Sequence, residues 1–407
     1  MIKKTVFGLF LLLTFSCKKE KPKETTLKED ITYLASDSLQ GRETGTNYEL
    51  MAASYIKKRM EAIGLSPKGN AGTYFQTFTF KQKTDPHSEI DFVDGDSTIT
   101  GTNVIGYLDN QANKTVIIGA HYDHLGMGGA GSLYADGAAI HNGADDNASG
   151  VGIMLQLAEK LKDSLKGSNY LFMAFSGEEM GLLGSNFFTK NPTIDLKRAT
   201  YMLNMDMVGR LRNDNTLSIS GTGTSPIWNQ VLNATNENFK LVLSESGVGP
   251  SDHTSFYLQD IPALHFFTGQ HADYHKPSDD SEKLNYEGMK LIRDYMISII
   301  SELDDDAKLA FRTTKNESED VPRFKVALGV MPDYLFDGKG MRIDGVTDGR
   351  PAAKAGLKKG DVVIQMGDSM VIDMMSYMRA LSVFEEGNVT KVTVDREGEK
   401  KTVEITF

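Results

Sequence analysis

Cysteine is nearly missing from this chain. Its 407 residues hold one, Cys17, which excludes an internal disulfide and any zinc site built from several thiolates. Tryptophan also occurs once, and histidine only eight times, so each histidine is worth locating. Positive charge is in deficit: 44 Lys and Arg against 55 Asp and Glu give a net charge of -11. Such a chain repels phosphate backbones, and nucleic acid is excluded as an expected partner. Long apolar runs are missing too. The longest is a stretch of about ten residues over 6–15, too short to span a bilayer as a mature helix.

The remaining composition is that of a globular protein, with 40% hydrophobic and 24% charged residues. The length exceeds what one core usually organises, so two domains are expected. Lys3 and Lys4 precede the apolar stretch and Ser16-Cys17 ends it. This segment resembles a bacterial lipoprotein signal over 1–17, although Thr14 stands where such signals usually carry Leu. The resemblance implies export, lipidation at Cys17 and a membrane-associated place in the bacterial cell envelope, periplasmic or outer-membrane. Residues 18–28 then read as a charged tether.

Helical spacing of Ile31, Leu34, Tyr55, Ile56, Met60 and Ile63 predicts helix within 31–65, with Gly64 as its C-cap. Alternating aromatic and polar residues predict a half-buried strand at 74–80. Four continuous apolar runs follow, at 115–120, 170–175, 201–205 and 261–267, with an amphipathic helix at 150–161 and a last helix at 287–303. Apolar strands separated by helices predict an α/β fold, a mostly parallel sheet with helices on both faces, over 29–303. The acidic, apolar-poor segment 304–322 reads as a linker. A small, mainly β domain is expected over 323–407, with a helix at 373–383 and a strand at 389–396.

Polar residues cluster at the C-terminal ends of the apolar runs. The first run ends in His121-Tyr122-Asp123-His124, the second in Ser176-Gly177-Glu178-Glu179 and the third in Asn204-Met205-Asp206. Asp273-Tyr274-His275 follows the fourth, and Gly143-Ala144-Asp145-Asp146-Asn147 precedes a helix. Ligands of open α/β sheets bind at the carboxyl ends of strands, so these residues would meet at one edge. Crowded carboxylates repel. Two imidazoles with Asp and Glu form a set suited to Zn²⁺ and tolerant of Mn²⁺ or Co²⁺.

These motifs resemble the co-catalytic dizinc aminopeptidases of the bacterial leucyl aminopeptidase and aminopeptidase Y type. The match runs through His121-Tyr122-Asp123, the stretch from Gly143 to Gly150, and the stretch from Phe175 to Ser185. It continues in Asn204-Met205-Asp206-Met207, Ser251-Asp252-His253 and His275-Lys276-Pro277-Ser278-Asp279. The resemblance implies two Zn²⁺ per chain, with His121 and Asp206 on one, Glu179 and His275 on the other, and Asp145 bridging. It implies Asp123 behind His121, Asp146 in a supporting place, a cis peptide at Asp145–Asp146, and Glu178 as general base. The substrates implied are peptides with a free N-terminus. Relatives commonly have Tyr where Val248 stands, so oxyanion stabilisation would fall to a zinc, Tyr274 or His253. His87, His124, His141, His265 and His271 are left as structural.

The C-terminal segment resembles a PDZ domain. Leu328-Gly329-Val330-Met331 matches its carboxylate-binding loop, and residues 351–361 match a following turn. The resemblance implies a peptide added as an extra strand, its C-terminal carboxylate held by backbone N–H groups. Alternatives to the aminopeptidase reading are a carboxypeptidase, with Arg210 as a candidate for the substrate carboxylate, a one-zinc glutaminyl cyclase, and a non-catalytic binder acting through the PDZ module.

Overall fold

A computed structural model describes residues 26–81, 92, 98–129, 131–305, 307–315, 325–333, 335–336, 338–347 and 349–407. Cys17, the signal segment, most of the expected tether and His87 lie outside the described residues. Among the described residues, no helix is long and apolar enough to cross a membrane.

The first part of the chain builds one mixed sheet covered by helices. Its elements in order are α1 (Leu27–Leu34), α2 (Asn47–Ile63), β1 (Ser66–Pro67), β2 (Phe75–Phe80), β3 (Ile99–Leu108), β4 (Thr115–His121), α3 (Gly150–Leu161) and β5 (Asn169–Phe175). Then come α4 (Leu183–Lys190), β6 (Ala199–Met205), β7 (Thr216–Ser220), α5 (Trp228–Ala234), β8 (Lys240–Ser244), α6 (His253–Tyr257), β9 (Ala263–Phe267) and α7 (Tyr286–Glu302). The expected helix over 31–65 is two helices around a tight turn at 37–42, where Gln40 and Gly41 take positive φ. Thr26 starts α1 with a capping box, inside the stretch expected to be tether. Gly64 ends α2 in the left-handed region, where a Cβ is costly.

The sheet order is β1-β3-β5-β4-β6-β9-β7-β8, with β2 pairing β3. Strands β5, β4, β6 and β9 run parallel. All seven residues of β4, β5 and β6 are buried, as two-sided coverage demands. The edges depart from the expectation of a mostly parallel sheet: β3 joins β5, and β7 joins β9, antiparallel. Helices α3 and α7 pack on one face within the main core. Phe188 of α4 and Phe256 of α6 pack on the other, against Ile117, Leu171 and Met202.

The second sheet holds β10 (Val330–Pro332), β11 (Met341–Val346), β12 (Val362–Met366), β13 (Ser369–Met370), β14 (Val389–Arg396) and β15 (Glu399–Thr406). Helices α8 (Pro351–Lys354) and α9 (Met374–Leu381) cover it. Strand order is β10-β11-β12-β14-β15, all antiparallel, around a separate core that includes Leu328, Ile343, Val363, Leu381 and Val392.

Part of the expected linker is not a free connection. Residues 307–315 lie along the first domain. Leu309 N donates to Thr200 Oγ1 at 3.0 Å, Arg312 N to Thr224 O at 2.8 Å, and Thr314 N to the Tyr257 hydroxyl at 2.9 Å. Leu309 is buried, and the Phe311 ring packs on Tyr257. The segment holds few large apolar residues, yet these two suffice to seat it. The domains also meet directly. Arg212 reaches Asp333 at 3.2 Å. A Cβ on Gly269 would lie 2.8 Å from Leu335 Cδ1, so the glycine permits that approach.

Candidate metal centre

His121 ends β4, Glu178 and Glu179 follow β5, and Asp206 follows β6, so the parallel strands deliver them to one edge. His275 arrives from the loop after β9, with φ 53°. Such a backbone costs a non-glycine residue of the order of 1 kcal/mol or more, which its surroundings must offset. Its Nδ1–H meets Gly131 O at 2.7 Å and its own carbonyl accepts Leu133 N–H at 2.9 Å.

The acidic loop ahead of α3 corrects the reading of its two aspartates. Asp146, not Asp145, lies between the histidines: its Oδ1 is 3.3 Å from His121 Nε2 and its Oδ2 is 3.2 Å from His275 Nε2. Asp145 points the other way. Its Oδ1 accepts Gly209 N–H at 2.6 Å, and its Oδ2 faces His271 Nε2 at 3.1 Å. The cis peptide is Asp146–Asn147 rather than Asp145–Asp146. Both backbone N–H groups of the pair bond Asp279 Oδ2, at 2.8 and 3.1 Å, which fixes the direction in which each side chain leaves the loop.

The other expected residues converge. His121 Nε2 is 3.4 Å from Asp206 Oδ1 and 4.0 Å from Glu178 Oε2, and His275 Nε2 is 3.4 Å from Glu179 Oε2. Asp123 sits behind them, but not as expected. Its carboxylate is 3.7 Å from His121 Nδ1, while its backbone carbonyl is closer, at 3.3 Å. The carboxylate instead accepts Glu178 N–H at 3.1 Å and the Thr44 hydroxyl at 3.0 Å.

Three residues outside the expected set support the site. His124, left as structural, has Nδ1 2.7 Å from Glu179 Oε1, and forms a candidate ligand group with Asp146 and Glu179. Arg42 is fully buried and donates to the carbonyls of Tyr122, Asn142 and Gly143 at 2.7, 2.6 and 3.0 Å. It ties the end of β4 to the acidic loop, and burial lowers its pKa to about 10. Glu49 accepts bonds from Gly45 N–H, the Tyr122 hydroxyl and the Ser176 hydroxyl, and burial raises its pKa to about 7. A glutamate inside α2 reads as surface in a sequence, so no local signal marked it.

The electrostatics are those of a site short of positive charge. Burial pushes Glu178 well above the usual carboxylate range, against the pull of His121. Burial would also raise Asp146, yet His121 and His275 hold it well below. His121 with Glu178 and Asp206, like His124 with Asp146 and Glu179, places donor atoms within 4.8 Å of one another. Imidazoles and carboxylates at this spacing fit divalent cations of the zinc type.

Asp146, Glu178, Glu179, Asp206 and His275 open on a cavity of about 530 Å³. Tyr274 and Val248 line it too, and Tyr274 stacks on His275 with ring centroids 3.8 Å apart. His253 is stacked on His265 at 4.7 Å and is fully buried. Arg210 is engaged by Asp273 and donates to Lys283 O at 2.8 Å, and it lines a different cavity.

In the second domain Leu328, Gly329, Val330 and Met331 lie together beside α9, around a groove of about 470 Å³. Gly329 takes φ 77°. Strand β10 is the edge of its sheet, the geometry an added strand requires. Leu133 and Tyr134 of the first domain also line this groove.

Comparisons with known proteins agree with this architecture. Residues 103–300 match the model of peptidase family M28, and residues 309–407 match the PDZ domain. Aminopeptidase YwaD of Bacillus subtilis is 27% identical over 216 residues, covering 50% of this chain and 45% of that protein. The alkaline phosphatase isozyme conversion protein of Escherichia coli is 30% identical over 168 residues, covering 41% and 46%. The chain thus spans about half the length of these curated relatives. Among solved structures, a zinc aminopeptidase from Bacillus subtilis superposes with a TM-score of 0.53 at 18% identity, covering 72% of this chain and 99% of that one. A glutaminyl cyclase from Bacteroides thetaiotaomicron gives 0.53 at 17% identity, covering 70% and 97%. These likenesses concern the fold. The likeness to peptidase family M28 thus lies in residues 103–300, and the likeness to the PDZ domain in residues 309–407 behind them.

Proposed function

We propose that the protein is a zinc-dependent aminopeptidase that removes N-terminal residues from peptides at a site for two metal ions. The observation that carries this reading is Asp146, one carboxylate oxygen facing His121 and the other facing His275, at 3.3 and 3.2 Å. One divalent ion would be held by His121 and Asp206, the other by Glu179 and His275, with Asp146 shared. His124 would orient Glu179. Such ions polarise a scissile carbonyl and lower the pKa of water.

The protein's own groups carry the rest. Glu178 takes the proton of the attacking water and returns it to the leaving amine. Its pKa is held high by burial, and its backbone is fixed by Asp123. Tyr274 would donate its hydroxyl to the developing oxyanion. It lines the cavity, whereas His253 is held in its stack with His265. The crowded carboxylates favour a free α-ammonium group. Arg210, committed to Asp273, leaves the carboxypeptidase alternative without its candidate.

The test is hydrolysis of free and N-acetylated peptides, with zinc content measured in parallel. Cleavage from free N-termini alone, close to two zinc ions per chain and loss of activity on chelation are expected. Efficient internal cleavage of acetylated peptides, or active enzyme without a transition metal, would refute the proposal. A second part of the reading concerns the PDZ groove, whose ligand is proposed to be a peptide C-terminus, captured on β10 and the Leu328–Met331 backbone. Direct binding of carboxylate-ended peptides, lost on amidation, checks it.

A further inference from the structure

The cavity in front of Glu178 and His275 is not closed by the peptidase domain. Its remaining wall is Met374, Met375 and Met378, which belong to the PDZ domain. Val242, Val248 and Phe267 of the peptidase domain line the same cavity. Tyr377, Ala380 and Leu381 of helix α9 are buried in the PDZ core. Met374 and Met378 pack against that core yet stay half-buried, as Met375 does, and all three keep surface on the cavity. Met374 and Met378, four residues apart, share one helical face.

The placement of this wall is fixed at several points. Asp373 caps α9, accepting Ser376 N–H at 2.7 Å, and Ser376 Oγ in turn accepts from Asp373 N at 2.9 Å. The cap sets where the first methionines emerge. Arg212 and Asp333, with Leu335 against Gly269, hold the PDZ domain on the peptidase domain. Methionine is unbranched and polarisable, and adapts to side chains of differing shape.

We infer that Met374, Met375 and Met378 form the wall of the pocket for the substrate's N-terminal side chain. The PDZ domain thereby selects peptides that begin with a large apolar residue. This rests on the aminopeptidase reading for its chemistry, but the pocket itself can be tested without turnover. Met374 and Met378 also line the PDZ groove, so the rival reading is that they serve only a peptide C-terminus there.

In the full-length, zinc-loaded protein, a Met374→Ala/Met378→Ala variant should lose roughly tenfold in kcat/KM on leucyl and phenylalanyl nitroanilides, while alanyl nitroanilide stays within about twofold. Met378→Trp, which fills the pocket, should penalise the phenylalanyl reporter most. An unchanged ratio of leucyl to alanyl efficiency in both folded variants would overturn the inference. Independently, methyl-¹³C-methionine NMR of the Glu178→Gln protein should show the Met374 and Met378 resonances shifting with L-phenylalaninamide and not with glycinamide. Shifts only with a carboxylate-ended peptide would assign these side chains to the PDZ groove and overturn the wall. If the wild type cleaves no aminoacyl reporter, the activity proposal fails, and the NMR titration still decides the pocket.

Discussion

His275 Nε2 lies 3.2 Å from Asp146 Oδ2, while the neighbouring Asp145 turns its carboxylate to Gly209 and His271. Two adjacent, identical side chains therefore do different work, and substitution should separate them. Asp146→Ala is expected to lose bound zinc and activity together. Asp145→Ala should keep most of the zinc but lower stability by about 1–3 kcal/mol, since Gly209 N–H loses a buried acceptor. Metal analysis and denaturant unfolding of both variants distinguish them, and the reverse pattern would return the bridging place to Asp145.

Glu178→Gln should retain zinc and fold while kcat falls by about 10²–10⁴. The amide keeps the shape and the Asp123 contact at the backbone, but cannot accept a proton. Near-normal kcat with full zinc occupancy would remove Glu178 from the proton-transfer role.

Glu49 should make stability depend on pH. Burial raises its pKa from 4.5 to about 7 in the folded chain. A carboxyl raised in this way favours the folded state while protonated, below its unfolded pKa. Its contribution is lost progressively as pH rises from about 4.5 to 7. A shift of this size is worth at most roughly 3 kcal/mol. Relative to wild type, Glu49→Gln should therefore gain stability between acid and neutral pH. Urea unfolding of both proteins at pH 4.5 and 8 reads the difference, and parallel pH profiles would contradict it.

Cys17 is the expected lipid attachment point. Cys17→Ala should move the protein from the membrane fraction to the soluble fraction, or block its processing. Fractionation of cells that express each form checks this, and unaltered membrane association would remove the anchor.

Much of the scaffold is legible in the sequence where burial imposes a simple pattern. The runs that became β4, β5, β6 and β9 are almost continuously apolar because both sheet faces are covered, and α3 was marked to the residue by its amphipathic period. Strand β3 was missed because its Ile-Thr-Gly-Thr-Asn start breaks the apolar run. There Gly101 and Gly106 take the ring of Phe78 and the sulfur of Met60 against the backbone. That His121, Glu178, Glu179 and Asp206 meet at one edge could be read because they end or directly follow parallel strands. The choice between Asp145 and Asp146 could not, since it depends on the backbone turn held by Asp279. His124, Arg42 and Glu49 act through contacts between residues far apart in sequence, which no local spacing records.

The stretch at 307–315 moves the boundary between the two domains. Leu309, Arg312 and Thr314 are bonded to Thr200, Thr224 and Tyr257, so the first domain ends structurally near Thr314 rather than at the end of α7. Cutting the chain directly after α7 would take away part of the first domain's own packing: Leu309 would leave its buried place and Phe311 its contact with the Tyr257 ring. Exchange of the C-terminal domain for another would therefore preserve the first domain only if the splice lay beyond Thr314, in a segment whose sequence marked it only as spacer.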